Sequence, residues 1–130
     1  MHFTDNPKYK NNVILKLSFE LAVKVIKFSE ELDVLRKYTI SNQILRAGTS
    51  IGANIKEAQN AESKIDFVHK LKIASKEADE LEYWLYLCNE VETYPNADYL
   101  LIELTVIKKL LNKIISTSKN VKPIISESSN

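Results

Sequence analysis

Apolar residues recur every three or four positions along most of the chain, separated by charged and polar residues, which is the pattern of amphipathic helices. Short polar links divide this pattern, and it predicts helices at about 7–35, 40–60, 64–92 and 96–116. Links this short place consecutive helices side by side in opposite directions. We therefore expect an all-α, antiparallel up-down-up-down four-helix bundle over residues 1–117, followed by a disordered serine-rich tail over residues 118–130.

Helix three has the most regular core stripe, with small residues in its N-terminal half and larger ones in its C-terminal half. Its members are Leu71, Ala74, Ala78, Leu81, Leu85 and Cys88. This spacing of three and four residues is typical of a bundle seam. In helix four the core stripe consists of Leu100, Leu104, Ile107, Leu111 and Ile114.

More apolar residues are present than one core can cover. Helix three has aromatic and aliphatic residues outside its seam, and helix four has a second stripe; together these are Tyr83, Trp84, Tyr86, Leu87, Ile102, Val106 and Leu110. A monomer would expose much of this surface, and large exposed apolar patches mark association sites. We predict a homo-oligomer with these residues in the interface between copies.

The two glycines of the chain, Gly48 and Gly52, lie four residues apart inside helix two. Each costs about 1 kcal/mol relative to alanine in a helix interior, although the apolar stripe continues through them. Helix two is therefore thin on this side, where another helix or a ligand approaches its backbone closely. We assign both glycines, with Ala74 and Ala78 of helix three, to close helix packing.

A net charge of +1 gives no general argument for binding nucleic acid or a membrane. The charges are nevertheless uneven, because residues 104–122 contain no acidic residue and carry Lys108, Lys109, Lys113, Lys119 and Lys122. Clustered lysines are suited to contacting the phosphates of RNA or DNA. Lysines also stabilise the C-terminal end of a helix, so the pattern leaves both interpretations open.

A set of polar residues shares one face of helix two, at Arg46, Ser50, Asn54 and Glu57, and Glu77 and Glu80 of helix three could face it. We favour a hydrogen-bonded network that fixes the register of the two helices. The alternative is a polar pocket that binds a small ligand.

Catalytic and metal chemistry have little support in the sequence. Cys88 occupies a seam position, as a small apolar core residue would. Glu62, Asp66 and His69 share a helical spacing, but a di-iron bundle needs a second such set of ligands on other helices. We expect no catalytic residues, metal or cofactor. A single cysteine, no signal peptide and no long apolar run predict a cytoplasmic protein without a membrane span.

Three stretches resemble a known family: RAGTSIGANIKEA at 46–58, FVHKL at 67–71 and KEADELEYWL at 76–85. They closely resemble the bacterial four-helix-bundle family first noticed as the protein encoded in 23S rRNA intervening sequences. The most specific part lies between Ser50 and Glu57. Ala58 and Ser75 depart from the family pattern, which often has glycine and leucine there.

The resemblance implies an up-down bundle that assembles into a ring of five. It also implies kinship with the accessory variability protein of diversity-generating retroelements, a basic pentamer that binds reverse transcriptase and nucleic acid. We expect a non-enzymatic homopentamer with an assembly or scaffolding role, and RNA, DNA or another protein as candidate partners. The alternative is a bundle that binds a small ligand or metal through the polar face of helix two.

Overall fold

The structure is a computed structural model that describes residues 1–120, and this part of the chain contains helices and no strands. A 3₁₀ turn at Phe3–Asp5 and the short helix α1, Pro7–Lys10, precede four long helices. These are α2, Val13–Val34; α3, Tyr38–Ala58; α4, Lys64–Glu90; and α5, Asp98–Asn120. Contacts join α2 to α3, α3 to α4, α4 to α5 and α5 back to α2, so the four long helices form a bundle.

The predicted first helix at 7–35 is wrong in one respect, because it is two helices separated at Asn11 and Asn12. Asn12 has an extended backbone, and its side chain accepts a hydrogen bond from the Leu15 amide at 3.2 Å. An asparagine side chain competes with the helix for backbone donors, so it starts a new helix here. At the other end of the chain, residues 118–120 belong to α5, not to a tail. The remainder of the predicted tail, 121–130, lies outside the described residues.

The core stripes predicted from periodicity are buried. All six seam residues of α4, from Leu71 to Cys88, are at most 1% exposed, and four of the five predicted in α5 are equally buried. The contribution of α2 includes Leu21, Val25 and Phe28. Each large apolar side chain buried in this way contributes roughly 1.5–3 kcal/mol. The long-range apolar pattern therefore accounts for which face of each helix turns inward.

Helix α2 is the neighbour that approaches the glycines of α3. A Cβ atom placed on Gly48 would lie 2.5 Å from Cγ1 of Val25, and one placed on Gly52 would lie 3.3 Å from Oγ of Ser18. Ala74 and Ala78 of α4 are also fully buried. The close approach that the sequence predicted is thus between two helices, and Gly48 provides space for the β-branched Val25 while Gly52 faces Ser18.

Three buried serines line the same contact between α2 and α3. The hydroxyl of Ser18 donates to the Leu15 carbonyl at 3.0 Å. The hydroxyls of Ser29 and Ser41 lie 2.6 Å apart, and Ser41 also donates to the carbonyl of Ser29 at 3.0 Å. Every buried side-chain polar atom in the described part of the chain has a hydrogen-bond partner. Small hydroxyls thus allow close packing without an unpaired polar group.

The N-terminal segment folds back over the outer side of the α2–α3 contact. The Phe3 ring stacks on Phe19 with centroids 4.1 Å apart and on Tyr9 with centroids 4.9 Å apart. The ammonium group of Lys56 in α3 lies 5.4 Å from the centre of the Tyr9 ring. This aromatic stack beside Gly52 and Ala53 leaves a small apolar pocket of about 260 Å³.

Helix α2 ends in a left-handed residue that is not glycine. Arg36 has φ of 61°, and the next amide, that of Lys37, donates to the Leu32 carbonyl at 2.9 Å. This is the hydrogen-bond pattern of a Schellman motif, in which glycine is the usual left-handed residue. Both glycines of the chain lie in α3, and the strained left-handed position at the end of α2 is occupied by an arginine.

We expect Gly48→Ala to lower the free energy of unfolding by about 1–2 kcal/mol, because overpacking against Val25 outweighs the gain of about 1 kcal/mol in helix propensity. Gly52→Ala should change it by less than about 1 kcal/mol, since the Ser18 hydroxyl can rotate away. Urea denaturation measures both. Adding Val25→Ala should make Gly48→Ala much less costly; additive effects in that double variant would contradict the proposed contact.

Arg36→Gly should raise the free energy of unfolding by about 1 kcal/mol, because glycine adopts the left-handed conformation without a steric penalty. Arg36→Ala is the matched control: it removes the same charge and keeps the penalty, so it should give no gain. Equal stabilisation by both substitutions in urea denaturation would assign the effect to charge instead of backbone strain.

Candidate functional site

A polar cluster connects α3 and α4 on the outside of the bundle. The guanidinium of Arg46 donates to the carboxylates of Glu77, at 3.2 Å, and Glu80. Two residues not predicted from the sequence complete the cluster. Gln43 accepts from Arg46 at 3.3 Å, and the Trp84 indole donates to Glu80 at 3.1 Å.

The other predicted members of this set do not join the cluster. The Ser50 hydroxyl donates to the Arg46 carbonyl at 2.7 Å, and the Asn54 amide donates to the Ser50 carbonyl at 2.8 Å. Glu57 instead pairs with Lys70 of α4 at 3.1 Å. The structure therefore brings together Arg46, Glu77 and Glu80, while serine and asparagine bond to their own helix, as such residues commonly do.

The Arg46 side chain is 48% exposed, so this cluster lies at the surface. Solvent screening limits an ion pair in such a position to about 1 kcal/mol or less. The pairing of one arginine with two carboxylates across α3 and α4 is suited to fixing helix register.

The predicted lysines of α5 divide into two groups. Lys108 lies 2.9 Å from both Asp79 and Glu82 of α4. Burial alone would lower the pKa of Lys108, but hydrogen bonds to these two carboxylates raise it overall. Lys109, Lys113 and Lys119 are exposed, and Lys122 lies outside the described residues. Lys108 is thus an interhelical ion-pair residue, and the other three described lysines remain accessible.

The predicted interface residues also differ in their surroundings. Tyr83, Tyr86, Ile102 and Val106 are exposed, whereas Leu87 and Leu110 are half-buried. Trp84 is half-buried too, and its ring meets that of Tyr83 edge to face at 5.4 Å. The stripe on α5 continues to Tyr99, which is 46% exposed and which the sequence-based prediction did not include.

The residues considered for nucleophilic or metal chemistry lie apart. Cys88 is buried, and burial raises the pKa of its thiol to about 11, so the thiol stays protonated at neutral pH. The carboxylate of Asp66 accepts from the Glu62 amide at 3.2 Å next to the Ser63 cap of α4. Residues 1–120 include no group of three or more His, Cys, Asp or Glu side chains placed to hold a metal ion.

One end of the bundle collects lysines from all four long helices. The start of α2 meets the end of α3 through an Asn12–Gln59 hydrogen bond of 3.0 Å, and the start of α4 meets it through Glu57 and Lys70. We call this region, residues 1–16, 56–72 and 112–119, the basic end. Its lysines are Lys8, Lys10, Lys16, Lys56, Lys64, Lys70, Lys72, Lys113 and Lys119, and its acidic residues are Asp5, Glu57, Glu62 and Asp66.

An open pocket of about 400 Å³ lies at the basic end, between the start of α4 and the end of α5. It is lined by three lysines, two apolar residues, one histidine and one serine, namely Lys64, Lys72, Lys119, Ile65, Val68, His69 and Ser118. The sequence analysis missed this site because its residues are far apart in the chain. The one local indication of this site in the sequence was Ile65, which lies outside the core stripe of α4. The Ile65 residue is 83% exposed.

No helix in the described part of the chain is long and apolar enough to span a membrane.

Comparison with known protein families matches residues 10–115 to the family described as 23S rRNA-intervening sequence protein. Among solved structures, the chain is similar to a protein of unknown function from the S23 ribosomal protein family of Bacteroides thetaiotaomicron VPI-5482. The identity is 44% and the TM-score 0.75, over 78% of this chain and 97% of the other. No curated protein sequence matches the chain.

The family match covers most of the described helices and contains the glycine-bearing stretch of α3 that first indicated the resemblance. The solved relative is matched over nearly its whole length. The chain therefore belongs to the 23S rRNA-intervening sequence protein family.

Proposed function

We propose that this protein is a non-catalytic assembly protein of the cytoplasm, built as an up-down-up-down bundle that binds RNA or DNA through its basic end. The observation that carries the proposal is the segregation of charge along the bundle. Lysines outnumber acidic residues at the basic end, whereas the reverse holds over residues 30–37 and 88–103, around the opposite ends of the helices.

The order of contacts between α2 and α3 supports the antiparallel topology. Moving from Ser29 to Val25 to Ser18, the partners in α3 advance from Ser41 to Gly48 to Gly52. The residue numbers of these contacts decrease along α2 as they increase along α3, as expected for two antiparallel helices. The pairing of Glu57 with Lys70 beside the α3–α4 link agrees with the same direction reversal.

Binding through the basic end has a simple electrostatic reason. Phosphate neutralisation by lysines releases counterions, so affinity depends on how many cations can approach the backbone together. Here α1, α2, α3, α4 and α5 each contribute at least one lysine to the same end. A protein with net charge of only +1 can still present such a local positive surface, because most of its acidic residues lie elsewhere.

Self-association is the second part of the proposal, and two different apolar surfaces support it. Ile102 and Val106 of α5 are 68% and 47% exposed, and Tyr83 and Tyr86 of α4 are exposed as well. A closed ring requires a head-to-tail contact in which one surface meets a different surface of the next copy. We propose that the α5 stripe of one copy packs against the α4 tyrosines of another, in the ring of five that the family resemblance implies.

The alternative function, a small-ligand or metal site on the polar face of α3 (the second helix predicted from the sequence), has weaker support. Ser50 and Asn54 bond to carbonyls of their own helix, and Glu57 is paired with Lys70. Each of these side chains already has a partner within the protein. We therefore retain the basic end as the proposed binding surface.

Ile102→Glu and Val106→Glu should convert the oligomer to monomers, because a carboxylate in an apolar interface loses its hydration without a partner. Light scattering at micromolar concentration measures the mass. Val34→Glu, at an exposed position at the end of α2, is the matched control and should leave the mass unchanged. A monomeric unsubstituted protein, or equal effects of all three substitutions, would contradict the proposed interface.

RNA binding should weaken steeply with salt, and Lys119→Glu should lower affinity at each salt concentration while reducing the slope of log K against log salt by about one. Lys113→Glu should act in the same way. Lys27→Glu is the control, since it makes the same change of charge away from the basic end. Fluorescence anisotropy with a labelled RNA measures both effects; equal losses for Lys27→Glu and Lys119→Glu would contradict a localised site.

A further inference from the structure

The pocket between α4 and α5 combines positive charge with an apolar surface. Lys64 and Lys72 approach it from the start of α4, and Lys119 approaches it from the last turn of α5. None of the described residues that line the pocket is acidic. An occupant of this pocket should therefore carry negative charge.

The pocket also has an apolar part, which the binding of a simple anion would not require. Ile65 is 83% exposed beside the lysines, and Val68 is half-buried on the same wall. His69 adds a flat ring that can stack on a base or donate a hydrogen bond. Pockets that bind small molecules combine apolar surface with a few polar groups, and this lining does so because the lysine stems add apolar surface to that of Ile65 and Val68.

The two properties together indicate the ligand. A phosphate group suits the lysines, and a flat, weakly polar body suits the Ile65 side chain and the His69 ring. A nucleotide carries both parts, and a volume of about 400 Å³ can hold one base with its sugar. In a duplex each base is stacked between neighbours and its face is inaccessible, whereas an unpaired base can enter a side pocket.

We propose that this pocket binds a single unpaired nucleotide, with its phosphate on Lys72 and Lys119 and its base against Ile65 and His69. The proposal rests on the nucleic-acid binding proposed above, and it adds a preference for single-stranded ends or loops over duplex. The nucleotide can belong to a strand or be a free mononucleotide, since both present the same chemical groups.

The test compares a single-stranded RNA with a blunt duplex of the same length, using the full chain at one salt concentration. Ile65→Ser should lower affinity for the single strand about fivefold or more and leave duplex affinity unchanged, because it removes a stacking surface and no charge. Lys113→Glu, which lies outside the pocket lining, should lower both affinities by similar factors. Equal affinity for both RNAs, or no loss with Ile65→Ser, would overturn the pocket.

A second measurement separates this proposal from general nucleic-acid binding. The chain has two histidines, so NMR can follow His69 with His2 as an internal reference. Adding adenosine monophosphate should shift the His69 ring signals and leave those of His2 in place, and inorganic phosphate should cause a smaller shift. If RNA fails to bind but the mononucleotide shifts His69, the pocket stands without the proposed function. If RNA binds and neither ligand shifts His69, the pocket is wrong and the proposed function stands.

Discussion

The close contact between α2 and α3 is the constraint on which the rest of this bundle depends. At Gly48 and Gly52 the α3 helix has no side chain, and Val25 and Ser18 of α2 fill the space. The contact favours one register of the two helices, because this alignment places Val25 opposite Gly48 and Ser18 opposite Gly52. The buried pair Ser29–Ser41 reinforces the same register further along, since the two hydroxyls lie 2.6 Å apart and that of Ser41 also donates to the Ser29 carbonyl.

Charged residues in the middle of the bundle and at the basic end have different surroundings. In the middle of the bundle, charged residues pair between helices, as Lys24 does with Glu103 and Lys108 with Asp79 and Glu82. Those lysines serve packing and are poorly placed for a partner. At the basic end the lysines outnumber the local carboxylates, so this end has an excess of positive charge. Lys108 illustrates the distinction, because a lysine in a basic stretch of sequence becomes an interhelical residue in the fold.

The interior offers no alternative site in the part of the chain that the structure describes. Its buried hydroxyls are bonded, and the thiol of Cys88 is held in its protonated form by burial. The surface features that require explanation are the lysine-lined pocket and the exposed residues Ile102 and Val106, and these are the features assigned to nucleotide binding and to self-association.

The sequence by itself determined the four long helices, their buried faces and the family. The apolar repeat from Leu71 to Cys88 and the glycine-bearing stretch of α3 are local signals, because helical periodicity and glycine cost act over a few residues. It also indicated that something approaches Gly48 and Gly52. Only the tertiary structure decided that this neighbour is α2 and that Asn12 starts a separate helix. The same holds for Phe3, which stacks on Phe19, and for Arg46, which meets Glu77 and Glu80 without Ser50 or Glu57. These outcomes depend on which side chains meet across helices, and pairings between distant parts of the chain leave no periodic trace in one sequence.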